Sequence, residues 1–233
     1  MAHVRVFRED FLPWGLDVFI DLGRRAPQVR PATIFDVGAN VGQSALRFAE
    51  RFPEATIWSF EPFEAAYAEL EQATRGTKVR CFQLAFGAEA STATVPLAAK
   101  SDLNSLLVSQ ATPAEVPRET VHVTTLDAFA VEHGVEQIDF LKIDTEGFDL
   151  AVLQGAEQLL TSRAISLVQV EAGMTGKNLK HVPLEALRLH LEERGYDMFG
   201  LYEQTPEWSG KARLRFANVV FAAEQISERL GRR

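Results

Sequence analysis

The sequence predicts an α/β fold: a mostly parallel, seven-stranded sheet with helices on both faces, closed at one edge by an antiparallel C-terminal hairpin. Three observations predict it. The apolar run Ile34-Phe35-Asp36-Val37 meets a glycine turn, Gly38-Ala39-Asn40-Val41-Gly42, and Ala45, Phe48, Ala49 and Phe52 then recur at helical spacing, so strand, tight turn and helix follow one another. Further apolar runs end in an acid, residues 55–60 at Glu61, 138–143 at Asp144 and 165–170 at Glu171, with helical patterns between them. Residues 196–202 and 214–222 then alternate as two strands around a loop at Trp208, which makes the edge hairpin.

The remaining elements follow in order. Leu12, Leu16, Phe19 and Ile20 share a helical face within a lead-in segment, residues 1–32, which Pro27 and Pro31 break before the first strand. Ala66, Leu70 and Ala73 mark a helix that stops near Gly76, and residues 79–84 form a third strand that Ala85-Phe86-Gly87 closes at the same sheet edge. Residues 88–120 read as an inserted hairpin and loop, with a short strand at 93–97, a polar turn carrying Asn104 and Ser105, and a strand at 121–125 whose His122 faces solvent. Val152, Leu153, Ala156 and Leu159 predict one helix, and Pro183 opens another with Leu184, Leu187 and Leu191 that Gly195 closes.

At 233 residues the chain is long enough for one full core, and residues 1–233 are read as a single domain. A net charge of −8 argues against a nucleic-acid partner, since phosphate binding needs clustered Lys and Arg. Cys81, the only cysteine, sits in an apolar stretch and is expected to be buried on a strand; a lone cysteine excludes an internal disulfide or a thiolate zinc cluster. No apolar run reaches the length of a membrane span and no signal-peptide pattern opens the chain, so a cytoplasmic location is expected.

The spacing of the glycine turn bears on its ligand. A dinucleotide site needs G-x-G-x-x-G to wrap a pyrophosphate. Here the pattern is G-x-x-x-G with Asn40 in the middle, which suits S-adenosylmethionine better than NAD. Gly38 is expected to allow close approach to the ligand, Gly42 to let the helix pack on the strand, and the helix amides to face the ligand's carboxylate. Glu61 lies about one βα unit further on, where an acid accepts from a ribose diol. Pro62 and Phe63 follow it, with Phe63 a candidate to lie against the adenine, and the backbone at Ala85 is a candidate for the adenine edge. Asp144 and Glu146 reach the same rim beside Lys142, and the polar segment 173–182 adds Lys177, Lys180 and His181.

Four motifs in order, Asp36-Val37-Gly38-Ala39-Asn40-Val41-Gly42, Ser59-Phe60-Glu61-Pro62, Thr125-Leu126-Asp127 and Lys142-Ile143-Asp144-Thr145-Glu146-Gly147, resemble the FkbM-type methyltransferases. The resemblance covers about residues 34–171. It implies a Rossmann-like class I methyltransferase fold, S-adenosylmethionine as donor, and O-methylation of a sugar, glycan or secondary-metabolite hydroxyl. By position it places Asp36, Gly38, Asn40 and Gly42 in the donor loop, Glu61 on the ribose and Asp144 near the transferred methyl. An alcohol nucleophile needs a general base, for which Asp144 leads, followed by Glu146 and His181. Catechol-type methyltransferases hold magnesium at the ends of the fourth and fifth strands, and Asp144 and Glu171 are the matching positions here. The acceptor is the expected small-molecule partner and a homodimer the candidate assembly. Two other readings stay open, a ligand-binding protein of the same fold without catalysis and an NAD-dependent oxidoreductase.

Overall fold

The computed structural model describes residues 12–25, 29–97, 116–176, 178, 180–207, 210 and 212–231; Asn104, Ser105, Lys177 and Trp208 lie outside them. The first half of the chain runs α1 (Val18–Arg25), β1 (Thr33–Val37), α2 (Gln43–Arg51), β2 (Thr56–Phe60), α3 (Glu64–Ala73), β3 (Val79–Phe82), β4 (Ala85–Phe86), β5 (Ser91–Pro96) and β6 (Arg118–Thr124). The second half runs α4 (Leu126–His133), β7 (Ile138–Ile143), α5 (Asp149–Gln154), α6 (Glu157–Thr161), β8 (Ile165–Gly173), β9 (Val182–Pro183), α7 (Leu184–Glu192), β10 (Tyr196–Pro206), β11 (Leu214–Ala223) and α8 (Glu224–Gly231).

The main sheet has the order β10-β11-β8-β7-β1-β2-β3, with β9 as a short eighth strand on β8. Pairing is parallel from β3 through β8, and β11 then runs antiparallel to both β8 and β10. The expected mostly parallel sheet with an antiparallel C-terminal edge is therefore present. Its strands are near-continuous apolar runs because both faces are covered.

The two faces differ. On one, Phe35, Trp58 and Phe60 pack with Phe129 of α4, at centroid distances of 6.0, 5.7 and 4.9 Å. On the other, Phe140 meets Phe19 of α1 and Phe48 of α2, at 5.0 and 5.8 Å. Side chains alternate along a strand. Asp36 and Lys142, neighbours in register across β1 and β7, therefore point to the α1/α2 face.

Four local expectations change. The segment 85–87 does not close the third strand: β4 belongs to a second, three-stranded sheet of order β4-β6-β5. The reason is a chain reversal, in which the Phe82 carbonyl accepts both Glu61 N at 3.1 Å and Leu84 N at 3.0 Å, so the ladder stops there. The single helix expected across Val152 to Leu159 is two, α5 and α6. A Cβ on Gly155 would stand 2.0 Å from the Gly87 carbonyl oxygen, so the chain bends where two backbones touch. Leu12 and Leu16 precede α1 and are not on its face. Cys81 is only half-buried, beside Thr74 Oγ1 at 3.3 Å. Helices α4 and α8 had not been expected. Among the described residues, no helix is long and apolar enough to cross a membrane.

Candidate active site

The carboxyl ends of β1, β2, β7 and β8 make one rim. The turn after β1 is bound to the end of β2: Gly38 N and Ala39 N both donate to the Phe60 carbonyl at 3.0 Å, and Asn40 N donates to Glu61 Oε2 at 2.9 Å. Phe63 N donates to the other Glu61 oxygen at 3.0 Å. Each carboxylate oxygen so keeps a lone-pair direction for a further donor. Burial pushes Glu61 up to about 7, and the two amide bonds only partly offset it.

Both glycines of the turn are required by their neighbours. Gly38 has φ 79°, and a Cβ there would fall 1.9 Å from the Asp144 carbonyl oxygen, so its bareness lets β1 and β7 end side by side. Gly42 has φ 95°, and its Cβ would meet Leu70 of α3 at 3.0 Å, so it serves contact between helices rather than between helix and strand. Gly42 is also the N-cap of α2 and supplies no side-chain cap; the first turn of α2 carries no acid. The amides that open α2 are thus left for an anion. Asn40, at φ 47°, takes the left-handed conformation asparagine tolerates, and its Oδ1 is buried without a hydrogen-bond partner. An unsatisfied acceptor, a fixed ribose-type carboxylate and an uncapped helix end around one turn fit an amino-acid-bearing nucleoside. Phe63 and Ala85, by contrast, pack with Val95, Val121 and Val123 in the core of the small sheet. Pro62 stands between Glu61 and that core.

Asp36 is fully buried, and Lys142 Nζ lies 3.3 Å from its Oδ1 and 3.1 Å from Asp144 Oδ2, to which it donates. Burial alone works against the Lys142 ammonium, but the two acids outweigh it and the pKa is raised. One cation serving two carboxylates does not cancel the cost of burial at Asp36, whose pKa is also raised.

Beyond Lys142 the rim is acidic. Carboxylate oxygens of Asp144, Glu146 and Glu171 lie within 4.8 Å of one another. The sequence had paired Asp144 with Glu171; the fold adds Glu146, at φ 51° and followed by Gly147 at φ 97°. Burial, then repulsion from Glu171 and Asp144, raises the Glu146 pKa. Asp149, which belongs to none of the four motifs, starts α5. It is 1% exposed, its Oδ2 accepts from Gly147 N at 3.2 Å, and burial followed by the charge of Asp144 pushes it up to about 7. An acid two residues past the turn glycine was the available signal.

His181 does not point at the rim's opening. Its Nε2 meets Glu171 Oε2 at 2.7 Å, its Nδ1 lies 2.8 Å from Asn178 Nδ2 and 3.0 Å from Asn178 Oδ1, and its ring stacks on Phe216 at 4.5 Å. Burial works against its charged form, but the bond and charge of Glu171 prevail and the pKa is raised. With both ring nitrogens engaged, His181 holds Glu171 in place. Asp127, by contrast, takes no part in the rim: its two oxygens accept from Gln158 N at 2.8 Å and Leu159 N at 3.0 Å and fix the start of α6.

The chain is similar to known methyltransferases. Methyltransferase sdnD of Sordaria araneosa is 29% identical over 54% of this chain and 60% of its own length. Methyltransferase 1 of Beauveria bassiana (strain ARSEF 2860) is 27% identical over 57% of this chain and 61% of its own. The chain thus spans about three fifths of the length of these curated relatives. Among solved structures, magnesium protoporphyrin IX methyltransferase from Synechocystis PCC 6803 with bound SAM superposes with a TM-score of 0.48 at 10% identity, covering 84% of this chain and 72% of that one. The family profile of the methyltransferase FkbM domain matches residues 36–198, well over half of the sequence and all of the rim just described, so the chain belongs to the FkbM methyltransferase family.

Proposed function

We propose that the protein transfers a methyl group from S-adenosylmethionine to a hydroxyl of a small-molecule or glycan acceptor, with Asp144 as general base. The observation that carries the reading is the convergence of the uncapped α2 terminus, the doubly anchored Glu61 and the Asp144 carboxylate on one rim. When bound, the donor supplies an electrophilic methyl on a sulfonium. Gly38, Asn40 and Gly42 shape its cradle, Glu61 receives the ribose hydroxyls, and Asp36 acts from below through Lys142. Pro62 and the backbone at Ala85 form the adenine side, while the Phe63 ring stands behind them in the core of the small sheet.

Asp144 suits the base role because its side chain keeps 40% of its surface exposed while Lys142 anchors only Oδ2. Oδ1 is the atom that takes the acceptor's hydroxyl proton as the oxygen attacks. Glu146 stands beside it as the second carboxylate, and His181 orients the third through Glu171. Holding the acceptor in line with the methyl contributes several kcal/mol of the barrier, roughly the scale available from positioning. Labelled donor incubated with a panel of sugars and hydroxylated metabolites tests the activity. The reading predicts counts transferred by wild type and a loss of about a hundredfold or more in Asp144→Asn with donor uptake kept; equal turnover by the two proteins would overturn the assignment.

The cluster of three carboxylates favours a second reading, in which Asp144, Glu146 and Glu171 hold a magnesium ion that orients the acceptor oxygen. Hard cations choose oxygen ligands and keep several waters, so three carboxylates fit. Titrating magnesium chloride into the protein would then raise its unfolding midpoint, and Glu146→Gln would abolish the rise. No shift at millimolar magnesium would remove this reading.

A further inference from the structure

A cavity of about 440 Å³ lies between α1, α2 and the β10–β11 hairpin, within the roughly 300–1,000 Å³ usual for small-molecule sites. Lys142 and Asp144 line it at the rim, and Ser44 and Arg47 line it where α2 begins. Three residues apart, Ser44 and Arg47 share a helix face, and helical side chains lean toward the N-terminus. Arg47 therefore leans toward the uncapped amides of α2, and its charge reaches Asp36, just before the glycine turn.

The wall opposite α2 is built irregularly. Tyr202 pairs with Asn218 and Thr205 with Phe216, so three steps along β10 match two along β11, a β-bulge. Regular alternation would send Tyr202 and Glu203 to opposite faces of the sheet, whereas the bulge brings both into the cavity lining. Glu203 takes φ 45°, a left-handed conformation that such bulges ordinarily give to glycine, so its backbone is strained. Its carboxylate is approached from two sides: Asn218 Nδ2 donates to Oε2 at 2.5 Å, and Arg47 Nη1 stands 3.6 Å from Oε1. Tyr202 beside it is 2% exposed, and its Oη is buried without a hydrogen-bond partner among the described residues. A buried donor left unmet on a cavity wall is costly unless a ligand supplies its partner.

The three cations of the lining differ in how firmly they are held. Lys142 is fixed between Asp36 and Asp144, and Arg51 lies over the Phe19 ring at 5.7 Å. The contact of Arg47 with Glu203 is long, and the two side chains are 68% and 56% exposed. An ion pair so long and so hydrated is weak and readily exchanged. A carboxylate arriving at the α2 amides would offer Arg47 shorter, charge-assisted hydrogen bonds and release Glu203. We infer that Arg47 and Glu203 form a latch between α2 and the hairpin that the donor's carboxylate displaces. Arg47 thereby selects nucleosides that carry the amino-acid carboxylate, and Glu203 is the built-in competitor for it in the empty site. The inference rests on the methyl-transfer reading and adds a specificity-determining residue and the group that holds it in reserve.

Calorimetric titration of the full chain tests it, with S-adenosylhomocysteine and with its decarboxylated analogue, which keeps the ammonium and lacks only the carboxylate. Glu203→Gln retains an acceptor for Asn218 and an L-residue in the bulge, so it removes the charge alone. It is expected to bind S-adenosylhomocysteine about threefold or more tightly than wild type does, the release of one exposed ion pair. Arg47→Met is expected to bind it about tenfold or more weakly, the loss of a hydrogen-bonded charge pair. In the double variant the tightening by Glu203→Gln is expected to vanish, because its target is gone. The decarboxylated analogue is expected to gain nothing from Glu203→Gln and to lose nothing to Arg47→Met; undetectable binding of the analogue to wild type would support the same selection, and the double-variant comparison then decides. Glu203→Gln binding no more tightly than wild type, additive effects in the double variant, or a parallel loss of both ligands in Arg47→Met would each overturn the inference while leaving donor binding intact. Failure of S-adenosylhomocysteine to bind wild type would instead overturn the methyl-transfer reading.

Discussion

Glycine at position 38 answers to the neighbouring strand before it answers to any ligand. Gly38→Ala adds a Cβ at 1.9 Å from the Asp144 carbonyl and fixes an L-residue at φ 79°, so overpacking and left-handed strain combine. The expected cost is more than about 3 kcal/mol, read by chemical denaturation. Gly76 offers the control: at φ 85° with nothing within 4 Å of its Cβ, Gly76→Ala pays the strain alone, about 1–2 kcal/mol. Lys142 makes the complementary case. Lys142→Met leaves Asp36 buried without its cation and is expected to cost about 3–5 kcal/mol, whereas adding Asp36→Asn to the same chain recovers much of it. Glu61, Asp144 and Glu171 were legible in the sequence because each ends an apolar run, and Asp36 because it interrupts one just before a glycine turn. Asp149 was not, because an acid at the start of a helix has the pattern of a solvated cap and its burial comes only from packing. The commitments of His181 were likewise invisible: Asn178 and Glu171 come to it from a loop and a strand whose meeting depends on tertiary packing.

Elements were legible where period and punctuation agreed. Strands β1, β2, β7 and β8 stand where their apolar runs lie, and the antiparallel edge follows from the two alternating segments at the C-terminus. Helix α4 went unread because its moment is spread over a sequence, Leu126 to His133, whose apolar residues Leu126, Phe129 and Ala130 meet the core beside an exposed Val131. The α5–α6 bend went unread because its cause is long-range, the Gly87 carbonyl against Gly155. The motif residue Asp127 acts on this same bend. By accepting two amides at the start of α6 it replaces a local cap, and Asp127→Ala is expected to lower stability by about 1–2 kcal/mol while leaving S-adenosylhomocysteine affinity unchanged. Thermal unfolding followed by calorimetric titration checks both halves. A large loss of affinity with normal stability would mean that Asp127 serves the ligand rather than the helix.

On the scale of the whole molecule, the chain buries more acid than it neutralises. Glu61 and Asp149 titrate near 7 when folded against 4.5 and 3.8 as reference, and Asp36 and Glu146 are shifted the same way. The folded state therefore binds more protons than the unfolded one between about pH 4 and 7, so the contribution of these groups is present in acid and is lost as pH rises through 7. His181, raised above 6.5, adds in the same direction at higher pH, while His190, lowered, opposes it below 6.5. The unfolding midpoint is expected to be higher at pH 5.5 than at pH 8, and Asp149→Asn to flatten the difference. A midpoint that climbs steadily toward pH 8 would show that these acids are not buried as described. The same excess of carboxylate marks the rim as a place that awaits a partner. Ribose hydroxyls on Glu61 and a proton or cation near Asp144 would each relieve part of it.

The most direct test is calorimetric titration of S-adenosylhomocysteine into wild type and Glu61→Gln at pH 8. One site per chain is expected for wild type and an affinity about tenfold or more weaker for the variant, since a charge-assisted pair of hydrogen bonds to the ribose becomes a neutral one. Well-folded wild type that takes up no ligand, or a variant that binds as tightly, would contradict it.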